Sequence, residues 1–401
     1  MRLLMVVDRY APEARSAAHL FEDLAKAFVA KGHEVSVWAK QPTENLPDGQ
    51  NAAPARELRD GVRVVRLPGL GEPRSTVLKA LDQAVFAAQV FFCIMISSRF
   101  DAIVVYSPPL PLAAACALAG RLRALPVIVN LHDLYPRTAV ELGRLRSRVL
   151  IALAKRMECF VYRAARLIVV PSPGAADYLI GDMGRPADRV RLVYNWVDFT
   201  RLGGVPNTFR ADHGLMGKFV AMYAGVVGVA QDLSAIVEAA RFAREDEDLI
   251  FLVIGEGSEL ERWKARGAGL PSLVFLPTLS RERYVEALQS SDAGLIALSL
   301  ELSSPAIPGK LQNIMALAKP VLAVVPTGSA AERIVREAGC GLITKPGDGA
   351  ALIDAVRRLR SDATLRRRLG EAGESFARKH FLLEAAVDAF DGALKTLGAK
   401  C

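Results

Sequence analysis

The stretch 301-ELSSPAIPGKLQNIMALAKPVLAVVP-326 decides how the rest of the chain is interpreted. It follows an apolar run, Ala293–Ser299, which predicts a buried strand, and it ends in a second such run, Pro320–Val325. Between the two runs, a loop rich in Ser, Pro and Gly leads into a short predicted helix that carries Lys310 and Asn313. A loop that feeds a helix leaves backbone N–H groups unpaired at the positive end of the helix dipole. That position therefore favours an anion, most often a phosphate.

Lys310 lies in the first turn of this predicted helix, where a cation is disfavoured. Its ammonium group therefore either points away from the helix or meets an anion at the loop. An ordinary strand–helix connection with a surface lysine explains this stretch equally well when the stretch is taken alone.

Outward from this stretch, short apolar runs alternate with helical patterns along the whole chain. The alternation restarts after residues 195–210, which predicts two doubly wound α/β domains whose parallel sheets are covered on both faces. We expect the domains to span 1–198 and 199–375. A C-terminal helical segment, 376–401, follows them, and packing against the first domain is one expectation for it. Ligands of such sheets bind at the carboxyl ends of strands near the topological switch, so the cleft between two such domains is the expected site.

The net charge of +8 is concentrated in the first half of the chain. Residues 1–200 hold 26 Lys and Arg against 19 Asp and Glu, whereas residues 201–401 hold 25 against 24. Within Arg137–Arg166 there are eight basic residues and two acidic ones. This band suits phosphate-bearing ligands or anionic lipid headgroups, and a solvated helix surface is the alternative. Nucleic acid is not expected as a partner, since no DNA- or RNA-binding motif accompanies the charge.

The five cysteines have no CxxC spacing and lie mostly in apolar segments, which is typical of buried thiols in a reducing compartment. The start of the chain has an uninterrupted run of only five apolar residues before Asp8, so it predicts a first strand and not a signal peptide. The most apolar run, Ala84–Ile96, is short for a bilayer span. It predicts either a core helix or a helix that lies on a membrane.

Polar residues follow the first strand and a later strand of the first half. The loop "DRYAPEARS" holds Tyr10, Glu13 and Arg15, with Ser16 as a candidate helix N-cap. His132 and Asp133 come directly after the strand "PVIVNL". A histidine at a strand end can donate or accept a hydrogen bond or take a proton near neutral pH, although it can equally serve only to fix its loop.

In the second half, two more strand ends carry residues suited to a ligand. "YAGVVGVAQ" places Gly225 and Gly228 between a strand and a helix, where glycine lets backbone amides approach a ligand. "IGEGS" places Glu256 after the next strand, where its carboxylate could bind a hydroxyl or simply favour the following helix N-terminus. Together with the loop before Lys310, these make three strand-end loops with the same orientation. The three together are better evidence for a nucleotide site than any one of them.

Several classes of enzyme are disfavoured by what the sequence lacks. There is no GxGxxG with an acidic residue about 20 positions on, as a dinucleotide oxidoreductase would have. There is no Walker A motif, no cluster of metal ligands and no GxSxG elbow.

The chain resembles the retaining glycosyltransferases of family 4, which have the GT-B fold. Within that family it is most similar to the bacterial branch that includes fucosamine and colanic-acid-type transferases of surface polysaccharide assembly. The resembling pieces cover nearly the whole chain in order and include "YAPEARSAAHLFEDLAKAFVAKGHEVSVWAKQP", "YSPPLPLAAACALAG", "NLHDLYPRTAVELG", "VRLVYNWVDFTRL", "YAGVVGVAQDLSAIVEAA", "VIGEGSELERW" and "IPGKLQNIMALAKPVLAV".

The resemblance implies that a nucleotide-sugar binds mainly to the second domain and that the acceptor enters through the first. Lys310 would then contact the donor diphosphate, and His132 would contact the transferred sugar beside Asp133. Backbone amides of the loop would contact the phosphates or the sugar. That loop is formed by Ala306, Ile307, Pro308 and Gly309.

Two features of this sequence depart from the family pattern. The family has a Glu-x7-Glu across this loop, whose second Glu binds the ribose, and here Asn313 stands in the matching position. The usual basic pair after the first strand of the second domain is also absent from "GVVGVAQ". Neutralisation of the diphosphate would therefore depend more on Lys310 and on backbone amides, without a metal cofactor.

The expected donor is a UDP-sugar, and the expected acceptor is a polyprenyl-diphosphate-linked saccharide at the inner face of the cytoplasmic membrane. The basic band Arg137–Arg166 and the apolar run Ala84–Ile96 suggest a peripheral enzyme on an anionic membrane surface. Three alternatives remain open: an exported solute-binding protein, a sugar-nucleotide epimerase of the same fold, and an inactive paralogue that binds nucleotide without transferring sugar.

Overall fold

The computed structural model describes residues 1–13, 16–42, 53–71, 75–97, 100–141, 143–197, 199–202, 207–300 and 307–398. They divide into two compact units. The first comprises Met1–Asn195 together with the segment that begins at Leu383, and the second comprises Trp196–Leu382.

The first unit is built on an eight-stranded sheet. Its strands are β1 (Arg2–Val7), β2 (Glu34–Lys40), β3 (Arg56–Arg59), β4 (Val62–Leu67), β5 (Ala102–Ser107), β6 (Val127–Leu131), β7 (Leu167–Val170) and β8 (Val190–Leu192). They lie in the order β3-β4-β2-β1-β5-β6-β7-β8. The chain order reverses between β1 and β5, so the topological switch lies between these two strands. All recorded pairs are parallel except β3 with β4, which are antiparallel.

Helices cover both faces of this sheet. They are α1 (Ser16–Ala30), α2 (Thr76–Ile96), α3 (Leu110–Leu122), α4 (Arg137–Glu141), α5 (Arg148–Ala164) and α6 (Pro173–Asp177), and α15 (Leu383–Gly398) joins them from the end of the chain. Fully buried residues of α2, α3 and α5, such as Phe86, Cys116 and Val161, share one core cluster with Val129 of β6. The burial of near-continuous apolar strands between helices is what a doubly wound sheet requires.

Helix α2 extends beyond the apolar run Ala84–Ile96 on which the bilayer-length argument was based. The run Ala84–Ile96 alone is short for a bilayer span, but the helix begins at Thr76. Its segment Val77–Ile96 is apolar and long enough to cross a bilayer by length and composition alone. The length argument was therefore wrong. Phe86 and Val90 of this helix pack into the core of the first unit, yet only 28% of its most apolar window is buried.

The second unit is built on a six-stranded parallel sheet. Its strands are β9 (Phe219–Ala224), β10 (Leu249–Ile254), β11 (Leu273–Leu276), β12 (Ala293–Ala297), β13 (Val321–Val324) and β14 (Gly341–Thr344), in the order β11-β10-β9-β12-β13-β14. The switch lies between β9 and β12. Its helices are α7 (Phe209–Asp212), α8 (Ser234–Phe242), α9 (Leu260–Arg266), α10 (Arg281–Ser290), α11 (Gly309–Ala316), α12 (Ala330–Ala338), α13 (Gly349–Ser361) and α14 (Ala363–His380). The two sheets confirm the predicted pair of doubly wound α/β domains.

The last helix, α15, packs on α1 of the first unit. Phe390 meets Phe28 edge to face with 6.1 Å between ring centroids, and both rings are buried. Polar contacts add to this apolar one. His33 Nε2 donates to Asp391 Oδ1 at 2.8 Å, and both of these side chains are less than a tenth exposed.

We expect Asp391→Ala to lower the free energy of unfolding by about 2 kcal/mol, because the buried His33 ring would lose its acceptor. The matched control is Asp388→Ala on the same helix, whose partner Lys31 is largely exposed, so that little stability should be lost. Urea unfolding of both variants measures the difference. Equal stabilities of the two variants would contradict a structural role for the buried pair.

Candidate functional site

The donor-side residues predicted from the sequence come together at one edge of the second sheet. β9 and β12 are neighbours, and parallel strands end at the same edge. Gly225 and Gly228 follow β9, Glu256 follows β10, and the loop after β12 leads into α11. The strand order therefore places the glycine loop next to the start of α11, which begins at Gly309.

Lys310 is held at this edge by an aromatic ring and a glycine. Its Nζ lies 3.6 Å from the centroid of the Tyr223 ring, which belongs to β9 and is fully buried. A β-carbon built on Gly225 would lie 3.4 Å from both Cε and Nζ of Lys310. The Tyr223 hydroxyl donates to the carbonyl of Val226 at 2.7 Å and so fixes the loop over which the lysine lies.

Lys310 is half-buried, and its ammonium faces the ring of Tyr223. Burial lowers the pKa of Lys310 to about 7, because the charged form loses its hydration and no carboxylate of the described residues compensates for that loss. An ammonium held in this way, facing the ring of Tyr223, is suited to meet an anion that enters from solvent. The lysine therefore does not simply point away from the helix.

The loops after β9 and β10 are joined through their backbones. Gly225 N donates to Ile254 O at 2.9 Å, and Val227 N donates to Glu256 O at 2.8 Å. The backbones of the two loops approach each other so closely that glycine is required at position 255. A β-carbon on Gly255, whose φ is +143°, would lie 2.0 Å from the carbonyl oxygen of Gly225. The two loops consequently form one rigid rim at the edge of the sheet.

The remaining donor-side predictions fall into different surroundings. Gly228 is buried, and its N–H donates to Gln231 Oε1 at 3.1 Å, so this amide is already paired. The Glu256 side chain is exposed beside the rim and accessible to a ligand. Asn313, on α11, is half-buried and donates to the Tyr284 hydroxyl at 3.4 Å. Of these side chains, Glu256 is the most accessible to a hydroxyl group.

The start of α11 is partly described. Pro308 occupies the N-cap position without a side-chain cap, Gly309 is exposed, and Ile307 is buried. The first helical N–H groups are thus left without a side-chain acceptor at the cap, as an anion site requires. Ala306 lies outside the described residues, together with the rest of 301–306.

In the first unit, His132 stands at the carboxyl end of β6. Its ring lies against the ring of Tyr106, with 4.7 Å between centroids, and Tyr106 in turn meets Phe21 edge to face. The His132 N–H donates to Ser107 O at 2.9 Å, which ties the residue to the end of β5. Burial lowers the pKa of His132 to about 4, so the imidazole is neutral at physiological pH.

Asp133 is directed into its own loop. Thr138 Oγ1 donates to Asp133 Oδ1 at 2.6 Å, and burial raises the pKa of this carboxyl group above its ordinary value. A carboxylate that is already bonded within its loop is less available as a nucleophile than a free one.

The acceptor-side residues follow β1, one strand from β5 in the sheet. Tyr10 and Glu13 are both almost fully buried, and Glu13 is paired with the Arg9 guanidinium. α1 begins at Ser16 itself. Arg15 lies outside the described residues, and so does the side chain of Ser16. An acceptor role for these four residues stays a prediction.

Three residues of this geometry were not singled out from the sequence. Tyr223 and Tyr106 lie inside strands, where an aromatic residue is usually part of the core, and only the fold brings them to Lys310 and His132. Gly255 could have been found, because "IGEGS" places two glycines directly after a strand. In the described part of the chain, no group of three His, Cys, Asp or Glu side chains could hold a metal ion.

Two family models match the chain one after the other. The Glycosyl transferase 4-like domain matches residues 17–196, and Glycosyl transferases group 1 matches residues 207–376. The first match covers most of the first α/β unit, and the second match covers most of the second.

Curated relatives match at modest identity. The putative colanic acid biosynthesis glycosyl transferase WcaI of Escherichia coli is 26% identical over 333 residues, which cover 79% of this chain and 81% of that protein. The probable glycosyltransferase WbjE of Pseudomonas aeruginosa is 26% identical over 299 residues, covering 70% and 72%.

Solved structures of similar architecture cover the whole chain. HepE of Anabaena, solved in complex with UDP-glucose, has a TM-score of 0.73 at 15% identity over 99% of this chain and all of that one. Sucrose-phosphate synthase of Thermosynechococcus elongatus has a TM-score of 0.77 at 17% identity over the full length of both chains. At these identities the likeness shows the fold alone. The matched domains and the fold agree, and the chain belongs to the glycosyltransferases with the GT-B fold.

Proposed function

We propose that this protein is a retaining glycosyltransferase of family 4 that moves a sugar from a UDP-sugar to a lipid-linked saccharide in bacterial surface polysaccharide assembly. The observation that carries the donor half of the proposal is the position of Lys310. Its ammonium lies over Tyr223 and Gly225, beside the start of α11, with no carboxylate to neutralise it among the described residues.

The chemistry of the leaving group explains why such a lysine is useful. Loss of a nucleoside diphosphate develops negative charge on phosphate oxygens, and a positioned cation stabilises that charge most strongly where water is scarce. Lys310 is desolvated before the donor arrives, and the N-terminus of α11 adds N–H groups at the same place. These groups supply electrostatic stabilisation from the chain itself.

The nature of the base is supported by similar structures. The structures of Anabaena HepE contain UDP, UDP with glucose, and UDP-glucose, and a similar Escherichia coli trehalose-6-phosphate protein was solved with UDP-2-fluoro glucose. Their fold is the fold of this chain, which favours UDP over other nucleoside diphosphates as its donor group. Glu256, exposed on the rim next to Gly225, is our candidate for a hydroxyl of the nucleoside or of the sugar.

His132 is our candidate for the contact with the transferred sugar. With a pKa near 4 the ring is neutral, so it can donate one hydrogen bond and accept another at neutral pH. Tyr106 holds the ring from one side. We propose that the acceptor attacks on the face from which the diphosphate leaves, because Asp133 is bonded to Thr138 and is a poor candidate for a covalent nucleophile.

The acceptor is inferred from a similar protein and from the charge of the first unit. WcaI is named for colanic acid biosynthesis. We propose a polyprenyl-diphosphate-linked saccharide as the acceptor and a peripheral location at the inner face of the cytoplasmic membrane. The basic band Arg137–Arg166 supports this location by its charge.

Calorimetric titration with UDP, GDP and ADP tests the donor proposal. We expect UDP to bind most tightly, and we expect its affinity to fall by about tenfold per pH unit above pH 7. The sign follows from Lys310. Its pKa is about 7 in the free protein and rises when a diphosphate pairs with it, so binding above pH 7 must take up a proton.

Titration at pH 8 in buffers of different ionisation enthalpy counts the protons taken up. Uptake of nearly one proton per UDP supports the assignment, and Lys310→Ala should abolish it. Binding of UDP with no proton uptake and no pH dependence between pH 7 and 9 would contradict the role of Lys310. Binding without sugar transfer to any lipid-linked acceptor would favour an inactive nucleotide-binding paralogue, and turnover of the donor alone would favour an epimerase.

A further inference from the structure

The outer surface of the helices α2, α3 and α5 is apolar where a water-soluble protein is normally polar. Soluble proteins expose single apolar side chains, but a continuous apolar patch marks an interaction site. The exposed large apolar residues on these helices are Val77, Leu78, Leu81, Phe92 and Ile96 of α2, Leu118 and Leu122 of α3, and Val149, Leu150 and Leu153 of α5.

Part of this surface forms a groove between the three helices. Its volume is about 500 Å³, and side chains from each helix line it. Phe91 and Phe92 come from α2, Leu118 comes from α3, and Leu153 and Phe160 come from α5. These side chains converge on one groove, so they form a continuous apolar surface and not a scatter of single residues.

A cationic cavity of about 530 Å³ adjoins the apolar groove. The two share Arg156 and Phe160 in their linings. Arg121, Lys155 and Arg163 complete the cationic lining, and no acidic residue belongs to it. On α5 the cations recur at Lys155, Arg156 and Arg163, a helical spacing that brings them to one side of the helix.

These cations are not neutralised by neighbours. Among the residues that the structure describes, Arg121, Arg156 and Arg163 have no acidic partner, and Lys155 is near only the buried Glu158. All four basic side chains are exposed. Exposed cations without counterions, gathered around a cavity, are suited to a phosphate group.

We infer that the cationic cavity and the apolar groove together bind one anionic phospholipid of a bilayer. The lipid phosphate would occupy the cavity beside Arg156, and the hydrocarbon chain would lie in the groove along Phe92 and Leu153. The cationic cavity suits the phosphate end of such a lipid, and the apolar groove suits its hydrocarbon end. A nucleic acid would use the cations but would leave the apolar groove empty, and a purely apolar partner would leave the cations unpaired.

The position of the site in the fold favours a bilayer lipid over the lipid-linked acceptor. Arg121 is near the end of α3, and its neighbour Gly120 packs against Val127, the first residue of β6. His132 follows the last residue of the same strand. Five residues of strand separate the two ends by about 15 Å. The phosphate site thus lies at the edge of the sheet opposite to His132, where a reacting diphosphate-sugar is not expected.

Vesicle co-sedimentation tests the inference with the whole protein. We expect it to bind vesicles of phosphatidylcholine with phosphatidylglycerol and not vesicles of phosphatidylcholine alone, and we expect binding to weaken as salt is added. The double variant K155E/R156E should bind the anionic vesicles at least about tenfold more weakly. Leu153→Ser should also weaken binding, but without changing its salt dependence.

The matched control, R358E/R368E, reverses the charge of two exposed arginines of the second unit. The net charge then changes equally, so an equal loss of binding by both double variants would overturn the site and indicate unspecific attraction. Undiminished binding by K155E/R156E, with circular dichroism showing a folded protein, would overturn it too.

A competition experiment distinguishes a lipid from free phosphate as the ligand. A short-chain phosphatidylglycerol, used below its micelle concentration, should compete with vesicles far better than glycerol phosphate does. Equal competition by the two would mean a site for free phosphate and would contradict a lipid site. The inference relies on the proposed peripheral location but not on sugar transfer. Lys310→Ala should therefore bind vesicles normally, and K155E/R156E should bind UDP normally.

Discussion

Lys310→Ala should lower the rate of sugar transfer by about a thousandfold, which corresponds to the loss of one strong electrostatic contact to the leaving group. The same change should weaken UDP binding by at least about tenfold. The reason is that no other cation of the described residues is known to lie over Gly225, and the family's basic pair is absent from this loop. Steady-state rates and calorimetric titration measure the two effects.

The stability of the ligand-free protein separates a functional lysine from a structural one. Lys310 contacts the ring of Tyr223, and its ammonium is desolvated without a carboxylate partner, so its removal should change the melting temperature little. Lys345→Ala is the control, since that side chain is exposed in the same unit and no role is predicted for it. Normal transfer by Lys310→Ala would contradict the proposed donor site.

Gly255→Ala should destabilise the second unit by about 4 kcal/mol. The new β-carbon would lie 2.0 Å from the Gly225 carbonyl oxygen, and the residue already has φ +143°, which side chains rarely adopt. Backbone must move to relieve this overlap, because no flexible side chain is involved. Chemical unfolding should report the lost stability, and UDP binding should be lost with it, since the two loops of the rim would separate.

Gly392→Ala makes the same chemical change where there is room for it. A β-carbon on Gly392, within α15, would meet nothing within 4 Å, so stability should stay the same or rise slightly. If Gly255→Ala were as stable as Gly392→Ala and still bound UDP, the close contact between the loops after β9 and β10 would not matter for the site.

The strands and the general place of the site could be predicted from the sequence. Near-continuous apolar runs such as Ala293–Ser299 identify buried parallel strands, and the carboxyl-end rule then places Lys310, Gly225 and Glu256 at one edge. β3 was missed, because its residues "RELR" carry no apolar run and form an antiparallel edge strand. Edge strands are held by backbone hydrogen bonds, which leave little trace in hydrophobic patterns.

The electrostatic state of the site could not be predicted, because it depends on contacts between distant parts of the chain. Tyr223 and Lys310 lie on different elements, and the lowered pKa of Lys310 exists only once β9 and α11 are side by side. The surroundings of the His132 ring depend in the same way on Tyr106 of the neighbouring strand. The length of the apolar segment of α2 was underestimated for a local reason, since Lys79, Asp82 and Gln83 interrupt its apolar run.

The contact between α1 and α15 has a consequence for how the protein is made. The two helices belong to one unit, yet about 350 residues separate them along the chain, and the whole second unit lies in between. At the pace of translation, roughly 5–20 residues per second, Phe28 would wait from about 20 to 70 seconds for Phe390. All eight strands of the first sheet precede the second unit in the chain, but the first unit lacks α15 until the second unit has been synthesised. The unit that contains the earliest part of the chain to emerge is therefore the last to be finished.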